Sequence, residues 1–184
     1  MHFFHGLIPV LLAAGCASVV PGTAARLQAL DPLSVDPAAL EVAVQLPAGM
    51  NVLPGTAVIT ITASHGADRL AEELQLAPRS AAGVAMPEGG RVAAFGLGPA
   101  EVARMRELQA QVAQWKAGGA AEASFGIGLG GCKLGGGPAP DAEGAILIRL
   151  EGAGEFVPLI QPTQVAALVG ETALAAMPPC EVRQ

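Results

Sequence analysis

Few residues of this chain have types and spacings that could do chemistry, and each grouping implies a particular geometry. Ser64, His65 and Asp68 bring a hydroxyl, an imidazole and a carboxylate within five positions, the ingredients of a nucleophilic triad. On an extended segment, however, adjacent side chains leave opposite faces, so Ser64 and His65 cannot easily share a hydrogen bond. The sequence also has no G-x-S-x-G elbow, and His65 reads as a turn residue. Glu72 and Glu73 fail as an acid/base couple for the same reason: strand neighbours diverge. Gly126-Ile127-Gly128-Leu129-Gly130-Gly131 satisfies G-x-G-x-x-G. That pattern binds a dinucleotide only where it turns a strand into a helix, and Cys132-Lys133-Leu134-Gly135-Gly136-Gly137-Pro138 cannot start one. Lys133 lacks the glycine spacing and the following Ser or Thr of a phosphate loop. Trp115 could offer a ring to a ligand, but it ends a helical apolar stripe and reads as core.

The elements that must position these residues follow from the hydrophobic period. Leu40, Val42, Val44 and Leu46 alternate with Ala39, Glu41, Ala43 and Gln45, and Ala57, Ile59, Ile61 and Ala63 alternate with Val58, Thr60, Thr62 and Ser64. Both are half-buried strands, separated by turns at Pro47-Ala48-Gly49 and Pro54-Gly55. Residues 42–67 carry no formal charge, but Pro47 and Pro54 break any membrane-spanning helix there. His65-Gly66-Ala67-Asp68 makes a hairpin into a third strand, where Leu70, Leu74 and Leu76 share parity with Glu72. A buried Glu72 would be costly, so it belongs at an edge. Arg91 to Leu97 is a fourth strand. Pro99 then opens a helix over 99–117, with Val102, Met105, Leu108, Val112 and Trp115 at spacings of three and four, and Gly118-Gly119 stops it.

Ala123, Phe125, Ile127 and Leu129 alternate with Ser124, Gly126, Gly128 and Gly130, giving a strand with one nearly bare face that invites close approach. Lys133 to Asp141 is a Gly/Pro loop. Ala145 to Leu150 and Glu155 to Ile160 form a final hairpin around Gly152-Ala153-Gly154. Thr163 caps a short helix that Gly170 ends, and Glu171 to Met177 adds a further turn. Strands do not alternate with helices, so the fold class is α+β: an antiparallel sheet or sandwich of about six to seven strands, one long amphipathic helix (99–117) and short C-terminal helices.

Composition narrows the function classes. Of 184 residues, 37 are Ala, 24 Gly and 15 Pro, so bulky core material is scarce and one core is all the chain can build. Ten basic residues against sixteen acidic ones, a net charge of −6 and no Tyr argue against nucleic-acid binding, which needs cations and stacking rings. The same charge argues against a basic patch on anionic lipid headgroups.

At the N-terminus, Phe3 to Ala14 is an apolar run too short to cross a bilayer, and it fits the apolar region of an export signal. Its end, Leu12-Ala13-Ala14-Gly15-Cys16, resembles the lipobox of bacterial lipoproteins, with Ala13 where leucine is usual and His2 and His5 standing where Lys or Arg is. The resemblance covers about the first twenty residues. It implies that Cys16 is diacylated, becomes the new N-terminus and anchors the protein in a membrane facing the periplasm. Ala17, which is not the aspartate of inner-membrane retention, implies an outer-membrane address. An ordinary signal peptide cut near Ala17 reads the same residues differently. In general look, the Ala- and Gly-rich chain ending in Pro178-Pro179-Cys180 is similar to uncharacterised small lipoproteins of high-GC proteobacteria, which bring no activity with them.

Export changes the reading of the other cysteines. With Cys16 lipidated, Cys132 and Cys180 are an even pair in an oxidising compartment, where a disulfide is expected. It would close a loop of about 49 residues, for which chain entropy gives about 4 kcal/mol. No Cys-x-x-Cys marks a redox centre, and two cysteines with His65 fall short of the four ligands of structural zinc. The organisation expected is a signal peptide over 1–15, a lipid anchor and tether over 16–37, and a single globular domain over 38–184. Its function is expected to be non-enzymatic, that of an envelope lipoprotein holding an accessory or binding domain at the membrane. The expected partners are the membrane, through Cys16, and an envelope protein, with no cofactor, metal, nucleotide or nucleic acid. Two alternatives stand beside it: a pilotin-like lipoprotein binding a client segment, and a periplasmic hydrolase with His65 near carboxylates in a cleft.

Overall fold

A computed structural model of the chain describes residues 33–119 and 121–181. Its strands are β1 (Glu41–Leu46), β2 (Met50–Val52), β3 (Val58–His65), β4 (Asp68–Arg79), β5 (Arg91–Leu97), β6 (Ala121–Gly128), β7 (Gly131–Lys133), β8 (Glu143–Arg149) and β9 (Val157–Gln164). The helices are α1 (Pro99–Gly118), α2 (Val165–Val169) and α3 (Glu171–Ala176). Seven strands form one antiparallel sheet in the order β6-β3-β4-β5-β1-β8-β9, and β2 pairs with β7 in a separate two-stranded sheet. The fold is therefore α+β, as the unmixed order of strands and helices implies.

Alternation fixes which face is covered. Ile59 and Ile61 on β3 are fully buried, whereas Thr60 and Thr62 between them are not. β4 is long enough to change partners: Asp68–Gln75 pairs with β3, and Leu76–Arg79 with β5. Glu72 consequently lies where β4 has a strand on one side only, opposite Ile61. It shares parity with buried Leu74 and Leu76, and its carboxylate reaches Arg104 of α1 at 2.7 Å. The edge position expected for this acid is what allows the pair to stay part-hydrated.

Two apolar clusters cover the sheet. Val42 and Ile148 belong to the cluster under α1, and Val44 and Ile146 to the one under β2, α2 and Met177. Because Val42 and Val44 have the same parity, as do Ile146 and Ile148, both clusters lie on one face, one at each end of the central strands. α1 begins with Pro99 after the extended Gly98, presents Met105, Leu108 and Val112 to the sheet, and ends at Gly119, whose φ is +145°. The segment before β1 is already held down. Leu33 is buried and Val35 packs beside it, although both fall in the span assigned to the tether. Asp36 fastens this segment to α1. Its carboxylate accepts from the Ala38 N–H and from Arg106, which together hold its pKa below the ordinary 3.8.

Three local expectations need correction. β2 lies between the turns expected at 47–49 and 54–55, and β7 takes in Lys133, where a loop is expected to begin; both strands, three residues each, form because Met50–Val52 and Gly131–Lys133 complete each other's ladder. The final hairpin is longer than its apolar core suggests, since β8 starts at Glu143 and β9 continues to Gln164. Thr163 is consequently a strand residue opposite Gly144 and caps nothing; its hydroxyl donates to the Gln161 carbonyl at 2.8 Å.

Candidate functional site

The structure does not assemble the Ser64, His65 and Asp68 grouping. Ser64 faces Arg69 and Glu122 across the ladder, while the His65 ring stacks on Trp115 with centroids 6.2 Å apart and planes inclined by 19°. Asp68 stands opposite His65 only as the closing pair of the hairpin. Glu72 is engaged by Arg104, and Glu73 is on the other face and exposed. Among the described residues, no group of three or more His, Cys, Asp or Glu could hold a metal ion.

The glycine run passes from strand to strand, β6 into β7, with no helix after it. Its bare face is covered by the chain itself. A Cβ on Gly128 would stand 2.8 Å from a Val58 methyl, and one on Gly130 2.8 Å from the Thr56 hydroxyl. That hydroxyl accepts from the Gly130 N–H at 3.0 Å and donates to the Leu53 carbonyl at 2.7 Å. Glycine is needed here because β3 and the Thr56 turn lie against the strand.

Cys132 and Cys180 are joined, with Cα atoms 4.8 Å apart. Backbone bonds flank the bridge: the Lys133 N–H donates to Pro178 O and the Cys180 N–H to Lys133 O, both at 2.8 Å. The Lys133 ammonium reaches the Ala175 carbonyl at the end of α3. The chain after α3 is thus fixed onto β7, and with it Met177. Cys16, the expected lipidation site, lies outside the described residues.

What this arrangement shapes is a cavity of 230 Å3 that is partly open to solvent. Its floor is the outer half of the sheet, with Val44 and Leu46 of β1, Ile146 of β8 and Ile160 of β9. Met50 and Val52 of β2 form one wall, and Val165 and Leu168 of α2, with Met177, form the roof. Two polar side chains border it, and each has one backbone partner. Gln45 donates its amide to the Ala85 carbonyl at 2.7 Å, and the Asn51 carbonyl oxygen accepts from the Val52 N–H at 2.9 Å. The walls come from six separate elements, Gly131 of β7 included, and the cavity could be recognised only once those elements were in place. No family model, no curated protein and no solved structure matches this chain.

Proposed function

We propose that this chain is an envelope lipoprotein, anchored through acylated Cys16 and facing the periplasm from the outer membrane, whose folded domain acts as a non-enzymatic accessory or binding module. The observation that carries the reading is the disposition of its three cysteines. Two are joined to each other within the fold, which suits an oxidising compartment, and the third ends an apolar run with small residues on either side. A domain held by two or more acyl chains needs no helix to stay at a bilayer. Among the described residues, no helix is long and apolar enough to cross one.

The intact mass of protein extracted from membranes tests this. A diacylglyceryl or triacyl increment on a chain beginning at Cys16 is expected, with a gain of about two daltons on reduction of the single disulfide. Cys16→Ser should move the protein into the soluble fraction. Native protein that is water-soluble, unmodified at Cys16 and fully reduced overturns the reading.

One observation favours a second reading, a lipoprotein that binds a client segment. Among the described residues, β6 ends the sheet and has a hydrogen-bonded neighbour only in β3, so its other side could receive an added strand. Backbone amide protection of 121–128 on mixing with an extended client peptide would support that reading, and unchanged exchange would remove it.

A further inference from the structure

We propose that the cavity beneath α2 is a binding site for a saturated acyl chain, which it takes up to a depth of about nine carbons. The depth follows from volume: an apolar cavity of about 150 Å3 lined by Leu, Ile and Phe side chains admits benzene, and 230 Å3 in the same ratio admits about nine carbons. The class of ligand follows from the lining. Val44, Leu46, Ile146, Ile160, Val165 and Leu168 present only methyl and methylene groups. Among the described residues, the only polar side chains in the lining are Gln45, whose NH2 donates to the Ala85 carbonyl, and Asn51, whose oxygen accepts from the Val52 N–H, so a ligand that buried several polar atoms here would find few partners, whereas an alkyl chain needs none. No aromatic side chain lines the cavity among the described residues, so a flat ring gains no stacking partner there.

Two further features suit a flexible chain. Met50 and Met177 meet over Gly131, where an added Cβ would stand 2.8 Å from the Met177 methyl and 3.5 Å from that of Met50. Such unbranched thioethers reshape around a ligand of variable conformation. Val169, which is 43% exposed, lines the cavity at the end of α2 and extends its apolar surface to solvent. α2 has five residues, too few to hold a helix by itself, so this part of the roof depends on its contacts and can yield to an entering chain. The assignment rests on the cavity alone and stands whether or not Cys16 is acylated.

The test is a chain-length series. Full-length protein carrying Cys16→Ser is titrated by calorimetry with hexanoate, octanoate, decanoate, dodecanoate and tetradecanoate, each below its micellar concentration. The dissociation constant should fall about fourfold per methylene up to decanoate and then level off as further carbons stay outside. Leu168→Trp, filling the cavity from the roof, should weaken octanoate at least tenfold without lowering Tm. Val44→Phe, filling it from the floor, serves the same purpose should the first variant fold poorly. Absence of saturable binding, a slope that continues undiminished to tetradecanoate, or a folded filling variant that binds like its parent would each overturn the proposal. Lipidated wild-type protein in nanodiscs identifies the source of the chain. Octanoate binding equal to that of Cys16→Ser assigns the site to an external acyl chain, and binding lost only in the lipidated form assigns it to the protein's own.

Discussion

Replacing both Cys132 and Cys180 with alanine removes a cross-link between positions 48 apart in sequence. In the unfolded chain it closes a loop of about 49 residues, and its loss returns about 14 cal/mol/K of chain entropy, or about 4 kcal/mol at 25 °C. Cys132 is 1% exposed, so truncating its sulfur adds on the order of 1 kcal/mol of lost packing. For a domain of this size each kcal/mol moves Tm by about 2–4 °C, so the double variant should melt about 10–20 °C below the parent. Reducing the wild-type protein leaves both sulfurs in place and should lower Tm by about 8–16 °C. Circular dichroism melts with and without dithiothreitol measure both. Hydrogen exchange locates the effect: amides of 131–133 and 165–180 should lose protection before those of β3 and β4. A Tm change under about 3 °C in both experiments, or exchange that rises evenly over the sheet, would refute the reasoning that the bridge holds the C-terminal segment on β7 and constrains the unfolded chain.

Other predictions follow from single contacts. Gly49 has φ +81° and an added Cβ would lie 2.2 Å from the Gly137 carbonyl oxygen, whereas Gly55, at φ +78°, has nothing within 4 Å. Gly55→Ala should therefore cost about 1–2 kcal/mol in urea unfolding, and Gly49→Ala clearly more, at least about 3 kcal/mol; equal costs would show that the close approach of the 134–137 loop is wrong. Met105 is fully buried on α1, so Met105→Ala should cost about 2–5 kcal/mol, while exposed Gln111→Ala on the same helix should stay within about 0.5 kcal/mol. The Asp36 pKa is depressed by the Ala38 N–H and by Arg106, so its contribution is present above the ordinary carboxylate pKa and fades as pH falls through the lower, folded value. Asp36→Asn should accordingly be less stable than the parent at pH 6, with the difference shrinking as pH falls below the ordinary 3.8, and a carboxyl NMR titration should place the Asp36 midpoint below that value.

The parts of the fold legible in the sequence are those where bulky residues mark a period. Ile59 and Ile61 stand between threonines on β3, and Met105, Leu108 and Val112 mark one stripe of α1, so parity and spacing identify each buried face. The sequence is silent where pairing is remote. β2 is three residues between two prolines and exists through its register with β7, where Met50 meets Lys133 far along the chain. Thr163 shows a local preference overridden: its helix-cap chemistry was readable, but Glu143 and Gly144 pair with Gln164 and Thr163 and draw those residues into β9. The glycines at 126–130 were readable as a site of close approach, though not that Val58 approaches Gly128 and Thr56 approaches Gly130.

The cavity is the least legible feature because no residue lining it is unusual by itself. Val44 and Val42 look alike in sequence, yet Val42 is covered by α1 and Val44 is not. α1 spans one end of the central strands, and what covers the other end is a three-residue strand, a five-residue helix and a six-residue helix. Helices that short do not stand unaided in water. They are held by Val165, Leu174 and Met177 packing on Val44, Leu46, Met50 and Val52, by the Val165 N–H bond to the Ala142 carbonyl, and, after α3, by the Cys132–Cys180 bridge and the Lys133 bonds to Pro178, Cys180 and Ala175. A roof fixed at its far end by a covalent bond, in addition to the side chains packed beneath it, stays in place over an apolar hollow that those few side chains do not fill.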